Sequence, residues 1–167
     1  LSSICSLPDE QLTNSIALLL RSEFLDDQDA SLPILVFKYG SALRKGLLAE
    51  CHSSEATVIA RAKKWLFWIG DQSGGDGSGQ QWLYPLMECS SASLLDAVDQ
   101  TIFLLQDIGD VVVDRQMYAD ITGKRSMVFI TIGTDAGAPR NHARGYVLYF
   151  EFDSGWRLVR YYLSWQS

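Results

Sequence analysis

The sequence predicts a single α+β domain, with helices in its first two-thirds and an antiparallel meander at its C-terminal end. Apolar residues recur at helical spacing as far as about residue 105, and beyond Gly109 they alternate as they do in strands. The chain has 167 residues, of which 47% are hydrophobic, so it can form a substantial core. We therefore expect one domain over residues 1–167.

Four amphipathic helices are predicted before the meander. The first covers residues 8–25, where a proline and two acidic residues occupy the first turn. The second covers residues 31–47, and the third carries an apolar stripe over residues 58–69. The fourth covers residues 94–105, follows serines that can cap its N-terminus, and has the clearest helical spacing in the chain.

A glycine-rich stretch at residues 71–80 follows the third helix and predicts a flexible loop. Such loops can hold phosphate through backbone N–H groups. This one lacks the Gly-Lys-Ser/Thr ending of a phosphate-binding loop and contains Asp71 and Asp76, which would repel the ligand. A connector is the favoured interpretation. The apolar run at residues 82–87 contains Pro85, which predicts an edge strand or an extended segment.

Four strands are predicted after Gly109, over residues 111–118, 127–132, 146–152 and 156–165. The sequence Asp153-Ser154-Gly155 has the composition of a three-residue hairpin turn with glycine in the left-handed conformation. Strict alternation in the last strand places bulky side chains on both of its faces, so both faces should be partly covered.

This order of elements resembles the NTF2-like (cystatin-like) α+β cone superfamily. The resemblance rests on the short segment 82–87, the helix 94–105 and the closing strand with Gly155-Trp156-Arg157, and it covers residues 80–167. It implies a curved four-stranded sheet wrapped around helices, with a cavity lined by the last strands. Such folds include isomerases, dehydratases, small-ligand binders and non-catalytic partners of other proteins, so the resemblance leaves the function open.

Asp114 and Tyr118 are the candidate catalytic residues. They lie four residues apart in a predicted strand, so a carboxylate and a phenol would share one face with Gln116. In an apolar cone such a pair could act as general base and hydrogen-bond donor in an isomerase or dehydratase. The alternative is that these residues form the solvent face of an antiparallel strand.

Four aromatic residues and one arginine in the last two strands are the candidate partner-binding residues: Tyr149, Trp156, Arg157, Tyr161 and Trp165. Exposed aromatic side chains flanked by arginines are typical of protein interfaces, although the same residues could instead fill a core. The preferred hypothesis is a non-catalytic domain that binds another protein, or its own copy, through this aromatic sheet face. The alternative is an enzyme or small-ligand binder that uses the inner face.

The composition narrows the other classes of function. A net charge of −6 opposes binding to nucleic acid and to anionic membranes, and no apolar stretch approaches the length of a membrane span, so we expect a soluble protein. Three widely spaced cysteines and two histidines in predicted loops indicate no metal site, and no motif indicates a cofactor. Unpaired cysteines favour the cytoplasm or another reducing compartment.

Overall fold

The computed structural model describes residues 1–71, 80–134 and 142–167. Within these ranges it has six helices and five strands, which confirms the α+β class. The chain forms two compact units, Leu1–Gly79 and Gln80–Ser167, and each is described by itself. The predicted loop at 71–80 falls almost wholly outside the described residues, and the expectation of one domain stays a prediction.

The first unit consists of five helices: α1 (Ser2–Cys5), α2 (Asp9–Leu20), α3 (Leu32–Lys38), α4 (Gly40–Glu50) and α5 (Ala56–Trp68). Its core is built around fully buried Trp65 and Leu66 of α5, which belong to one cluster with Ile16, Leu43 and Leu47. The apolar stripes predicted from helical spacing therefore do face one another.

Two of the predicted helix boundaries in this unit are wrong. Helix α2 ends at Leu20 instead of near residue 25. The Arg61 guanidinium donates hydrogen bonds to the carbonyl oxygens of Leu20 and Ser22, at 2.9 and 3.0 Å, and so replaces helical partners at this end. The predicted second helix is broken after Lys38, and Gly40 begins α4 tightly against Ile69. A Cβ on Gly40 would lie 2.6 Å from the Ile69 Cγ2 atom, so the close approach requires glycine.

The second unit contains α6 (Leu94–Leu105) and a sheet of five antiparallel strands in the order β1-β5-β4-β3-β2. The strands are β1 (Ser90–Ser91), β2 (Asp110–Ala119), β3 (Arg125–Thr134), β4 (Ala143–Phe152) and β5 (Trp156–Gln166). The four predicted strands are present, but the predicted total was wrong because the short β1 pairs with β5. Strand β2 forms the opposite edge of the sheet and pairs only with β3 among the described residues.

Helix α6 covers one face of this sheet. Its buried residues Ala97, Val98 and Ile102 belong to a core cluster with side chains of three strands, namely Val128, Ile130 and Ile132 of β3, Leu148 and Phe150 of β4, and Leu158 of β5. The Ser93 hydroxyl caps the helix by accepting a hydrogen bond from the Asp96 backbone N–H at 3.4 Å. The sheet side of this cluster is called the α6 face below.

The turn between β4 and β5 is formed differently from the prediction. The left-handed residue is Ser154, with φ of 56°, and Gly155 has no positive φ. Glycine at 155 has another reason, because a Cβ there would lie 3.3 Å from the Ser91 carbonyl oxygen. It therefore permits β1 to pair closely beside the turn.

Candidate binding site

The predicted catalytic residues do share a face of β2. Gln116 links them, since its Nε2 donates to Asp114 Oδ2 at 3.3 Å and its Oε1 accepts from the Tyr118 hydroxyl at 2.8 Å. Asp114 is exposed on the edge strand, just after a bulge, and the depression beside it is open to solvent. This carboxylate lacks the apolar enclosure that the base hypothesis requires, and its catalytic role stays a prediction.

The predicted partner-binding residues divide between the two faces of the sheet. Trp156 is paired with Phe152, and Tyr161 with Leu148, so both lie on the α6 face. Arg157 and Trp165 are paired with Glu151 and Gly145, and they share the opposite face with Tyr149. Trp156 and Arg157 lie on opposite faces because they are neighbours in the strand. Tyr161 lies opposite Arg157 and Trp165, with which strict alternation would group it, because a register shift between β4 and β5 falls on each side of it.

Tyr149 is buried, with only 3% of its surface exposed. The Trp82 ring packs edge-on against Tyr149 at 4.7 Å and against Tyr162 at 4.9 Å. Burial raises the pKa of Tyr149 well above its ordinary value and also raises the pKa of Tyr162. Of the five predicted residues, Arg157 and Trp165 are the exposed ones, and the partner-binding role of the set stays a prediction.

A cavity of about 210 Å³ lies on the α6 face of the second unit, and we call it the α6 cavity. Its walls come from three segments. Helix α6 contributes Thr101, Leu104 and Leu105, β5 contributes Leu158 and Tyr161, and the segment before β1 contributes Pro85, Leu86, Met87 and Cys89.

The course of the chain before β1 creates this cavity. Leu83 and Tyr161 exchange backbone hydrogen bonds of 2.7 and 2.9 Å, and Cys89 accepts one of 3.0 Å from Leu158. Between these two attachments to β5, residues 84–88 form an arch that includes Pro85, which cannot donate a ladder hydrogen bond. The segment predicted at residues 82–87 is therefore not a regular strand. It consists of one β-bridge, between Leu83 and Tyr161, followed by the 84–88 arch.

The interior of the α6 cavity is apolar. The buried Thr101 hydroxyl donates to the Ala97 carbonyl oxygen at 2.9 Å, and the Cys89 thiol lies 3.8 Å from the Met87 carbonyl oxygen. Tyr161 supplies a phenol at the wall, and none of the lining residues carries a charge. Such a site can bind an apolar group but has no acid–base pair of its own.

The rim of the cavity consists of exposed hydrophobic side chains. Leu86 is fully exposed at 102%, Met87 is 63% exposed and Leu104 is 48% exposed. Tyr84, two residues before Leu86, and Phe103, next to Leu104, are also largely exposed. Isolated exposed hydrophobic residues are common, whereas a group of them around an apolar cavity is typical of binding surfaces.

The α6 cavity is not among the sites predicted from the sequence. Of its lining residues, only Tyr161 was predicted to be functional, as part of a sheet face rather than as the wall of a cavity. The available signal was Pro85 within an apolar run, since proline there prevents regular pairing and leaves Leu86 and Met87 without a strand partner.

Other kinds of site find no support in the part of the chain that the structure describes. It contains no group of three or more His, Cys, Asp or Glu residues placed to hold a metal ion. Its helices include none with the length and apolarity of a membrane span. No protein-family model, curated protein or solved structure matches this chain, so the geometry of the α6 cavity carries the functional argument.

Proposed function

We propose that this chain is a non-catalytic protein-binding domain whose α6 cavity receives a bulky apolar side chain of the partner. The observation that carries the proposal is the ring of exposed Leu86, Met87 and Leu104 around an apolar hollow. Interfaces commonly concentrate their binding energy in an aromatic or aliphatic anchor that fills such a pocket.

The size of the cavity favours a side chain over a cofactor or metabolite. Sites for drug-sized ligands usually occupy about 300–1,000 Å³, whereas an apolar cavity of about 150 Å³ already accepts a benzene ring. The α6 cavity, at about 210 Å³, matches one phenylalanine or leucine side chain. The exposed rim would then contact the surface around that anchor.

The enzyme hypothesis has less support. Asp114 and Tyr118 lie on the face of β2 opposite Met117, which packs with the α6 cluster, so they do not line the α6 cavity. The proposed surface also differs from the predicted aromatic sheet face. A small apolar ligand and a second copy of the chain are the alternatives to a different protein.

We also propose that the second unit is an NTF2-like cone. Support comes from the position of α6 immediately before four long antiparallel strands, and from a cavity between that helix and the last strand. A cone of this kind can present its open end to a partner.

The proposal is tested with a photo-reactive amino acid at position 86, compared with the same group at position 95. Leu95 is a suitable control because it is also exposed, at 54%, on α6 but does not line the cavity. We expect position 86 to form an adduct that contains a bulky apolar residue of one partner protein.

The affinity of the purified partner is then measured with two matched variants. Leu86→Asp should weaken binding about 30-fold or more, as expected for a loss of about 2 kcal/mol at an anchor site, and Leu95→Asp should leave it unchanged. Equal cross-linking at the two positions, or equal affinities of the two variants, would refute the proposal.

A further inference from the structure

The two edges of the sheet differ greatly in length. One edge is β1, which has only two residues, and the other is β2, which has ten. Native proteins usually keep an edge strand short or place lysine or proline on it, because its outward N–H and C=O groups can pair with another strand. Strand β2 contains neither lysine nor proline, and its residues 111–116 are all exposed. It is therefore the edge at which a further strand can join the sheet.

Three polar side chains follow one another along one face of this edge. They are Asp114, Gln116 and Tyr118, and Gln116 is hydrogen-bonded to both of the others. A carboxylate accepts hydrogen bonds, an amide both donates and accepts them, and a phenol donates. An antiparallel copy of the strand presents the same three groups in reverse order, so the phenol meets the carboxylate and the amide meets the amide. The row is therefore complementary to itself.

Two-fold symmetry limits how two copies of β2 can pair. Directly opposite residues of an antiparallel pair point to the same face, so the symmetry axis must pass between two copies of one residue. An axis at Asp114 or at Arg115 would place like charges directly opposite each other, which is destabilising. An axis at Gln116 instead places Asp114 opposite Tyr118 of the second copy.

The positions on either side of Gln116 are less suitable as centres. An axis at Met117 would bring Asp114 against Asp120, beyond the end of the strand. Towards the other end, β2 has a bulge at Val113, where the strand bends away from regular pairing. The regular segment that remains is 114–118, and its middle residue is Gln116.

The residues on the α6 face are compatible with the same register. Arg115 would lie opposite Met117 of the second copy, and its guanidinium already pairs with Asp99 of α6 at 2.8 Å. On the other face, the Tyr118 ring packs edge-on against Phe129 of β3 at 5.6 Å, which helps to fix the position of its hydroxyl. The pairing therefore needs no rearrangement of charges within either copy.

From this arrangement we infer that β2 pairs with β2 of a second copy of the chain, antiparallel and centred on Gln116. The two five-stranded sheets would then form one continuous sheet across the dimer. None of residues 114–118 lines the α6 cavity, so dimerisation is independent of the proposed function. The interface is small and each copy has a net charge of −6, so we expect a dissociation constant in the micromolar range or weaker.

Sedimentation velocity of the full chain over a concentration series measures this dissociation constant. Gln116→Lys places two ammonium groups opposite each other at the axis and should weaken the dimer about tenfold or more. Val111→Lys is the matched control, because it adds the same charge to an exposed position of the same strand, outside the segment 114–118. The control should dimerise at least as well as the wild-type chain, because it lowers the net charge.

Cysteine substitutions test the register. Directly opposite residues of antiparallel strands have Cα atoms about 4.5–5.5 Å apart, which a disulfide can bridge. Gln116→Cys should therefore form a disulfide-linked dimer under mild oxidation, and Val111→Cys should not. The wild-type chain is the background control, since its own cysteines are half-buried or buried, namely Cys5, Cys51 and Cys89.

Several results would overturn the β2 dimer. A wild-type chain that stays monomeric at submillimolar concentration would do so, and so would a dimer that Gln116→Lys and Val111→Lys affect equally. Equal cross-linking of the two cysteine variants would exclude the register centred on Gln116. A dimer that is lost in Leu86→Asp but kept in Gln116→Lys would place self-association at the α6 cavity instead. Circular dichroism of each variant verifies that a change in association does not come from unfolding.

Discussion

Two leucines that line the same cavity should respond very differently to truncation. Leu158 is buried, with 3% of its surface exposed, and belongs to the cluster beneath α6, whereas Leu86 is fully exposed on the rim. Removing three buried carbon atoms and leaving a void costs about 2–5 kcal/mol in a core, and a surface substitution costs about 0.5 kcal/mol or less.

For Leu158→Ala we expect a loss of about 3 kcal/mol, in the lower half of that range, because the new void joins an existing hollow that water can enter. Leu86→Ala should change the free energy of unfolding by less than about 0.5 kcal/mol. For a chain of this size, these values correspond to a fall in melting temperature of about 6–12 °C for the first variant and about 2 °C or less for the second.

Urea and thermal unfolding, followed by tryptophan fluorescence and circular dichroism, measure both quantities. The wild-type chain is the reference, and Leu95→Ala, also exposed on the second unit, is the surface control. A loss of less than about 1 kcal/mol for Leu158→Ala would contradict its place in the core. A loss above about 1 kcal/mol for Leu86→Ala would mean that the arch is packed rather than presented to a partner.

Three further predictions concern pH and packing. The backbone N–H of Asp107 and the Arg144 guanidinium lower the pKa of Asp110. The Asp110 carboxylate therefore stabilises the fold above the ordinary carboxyl pKa, and this stabilisation is lost as the pH falls from there through the lowered pKa. In acid unfolding experiments, Asp110→Asn should lose less free energy of unfolding over that pH range than the wild-type chain does. Gly40→Ala should cost about 1–3 kcal/mol in urea unfolding, because its Cβ would overlap Ile69. Because burial raises the pKa of Tyr149, this residue should not ionise together with the exposed tyrosines of the folded protein. Ultraviolet titrations of the folded wild-type chain and of folded Tyr149→Phe should therefore be identical near the ordinary tyrosine pKa. After unfolding, Tyr149→Phe should show one ionising phenol fewer than the wild-type chain.

The spacing of apolar residues predicted correctly those elements that pack against one other element through one face. Helix α6 was predicted at its observed bounds because one apolar stripe faces one sheet. The break before Gly40 was not predictable, since it depends on a contact with Ile69, 29 positions further along the chain. Local helix propensity contains no information about such a distant contact, so α3 and α4 were predicted as one helix.

The candidate site was harder to predict for a related reason. The faces of β5 depend on two register shifts, and each shift exchanges the exposed and covered sides for all residues beyond it. Tyr161 and Trp165 were assigned to one face because alternation was assumed to be continuous, and the register shift between them places them on opposite faces. The α6 cavity depends on how residues 84–88 leave and rejoin β5, which is a property of backbone pairing and leaves only Pro85 as a trace in the sequence.

The exposed edge of β2 has a consequence for handling the protein. Its residues 111–116 are all exposed, and three of them are the consecutive valines Val111, Val112 and Val113. A long edge strand with apolar side chains is a template for pairing with the same strand of another molecule, and mutual repulsion at a net charge of −6 opposes that encounter. Mild acid removes this repulsion. Concentrated samples should therefore form β-rich aggregates as the carboxylates are neutralised, and a lysine in place of Val112 should delay that aggregation.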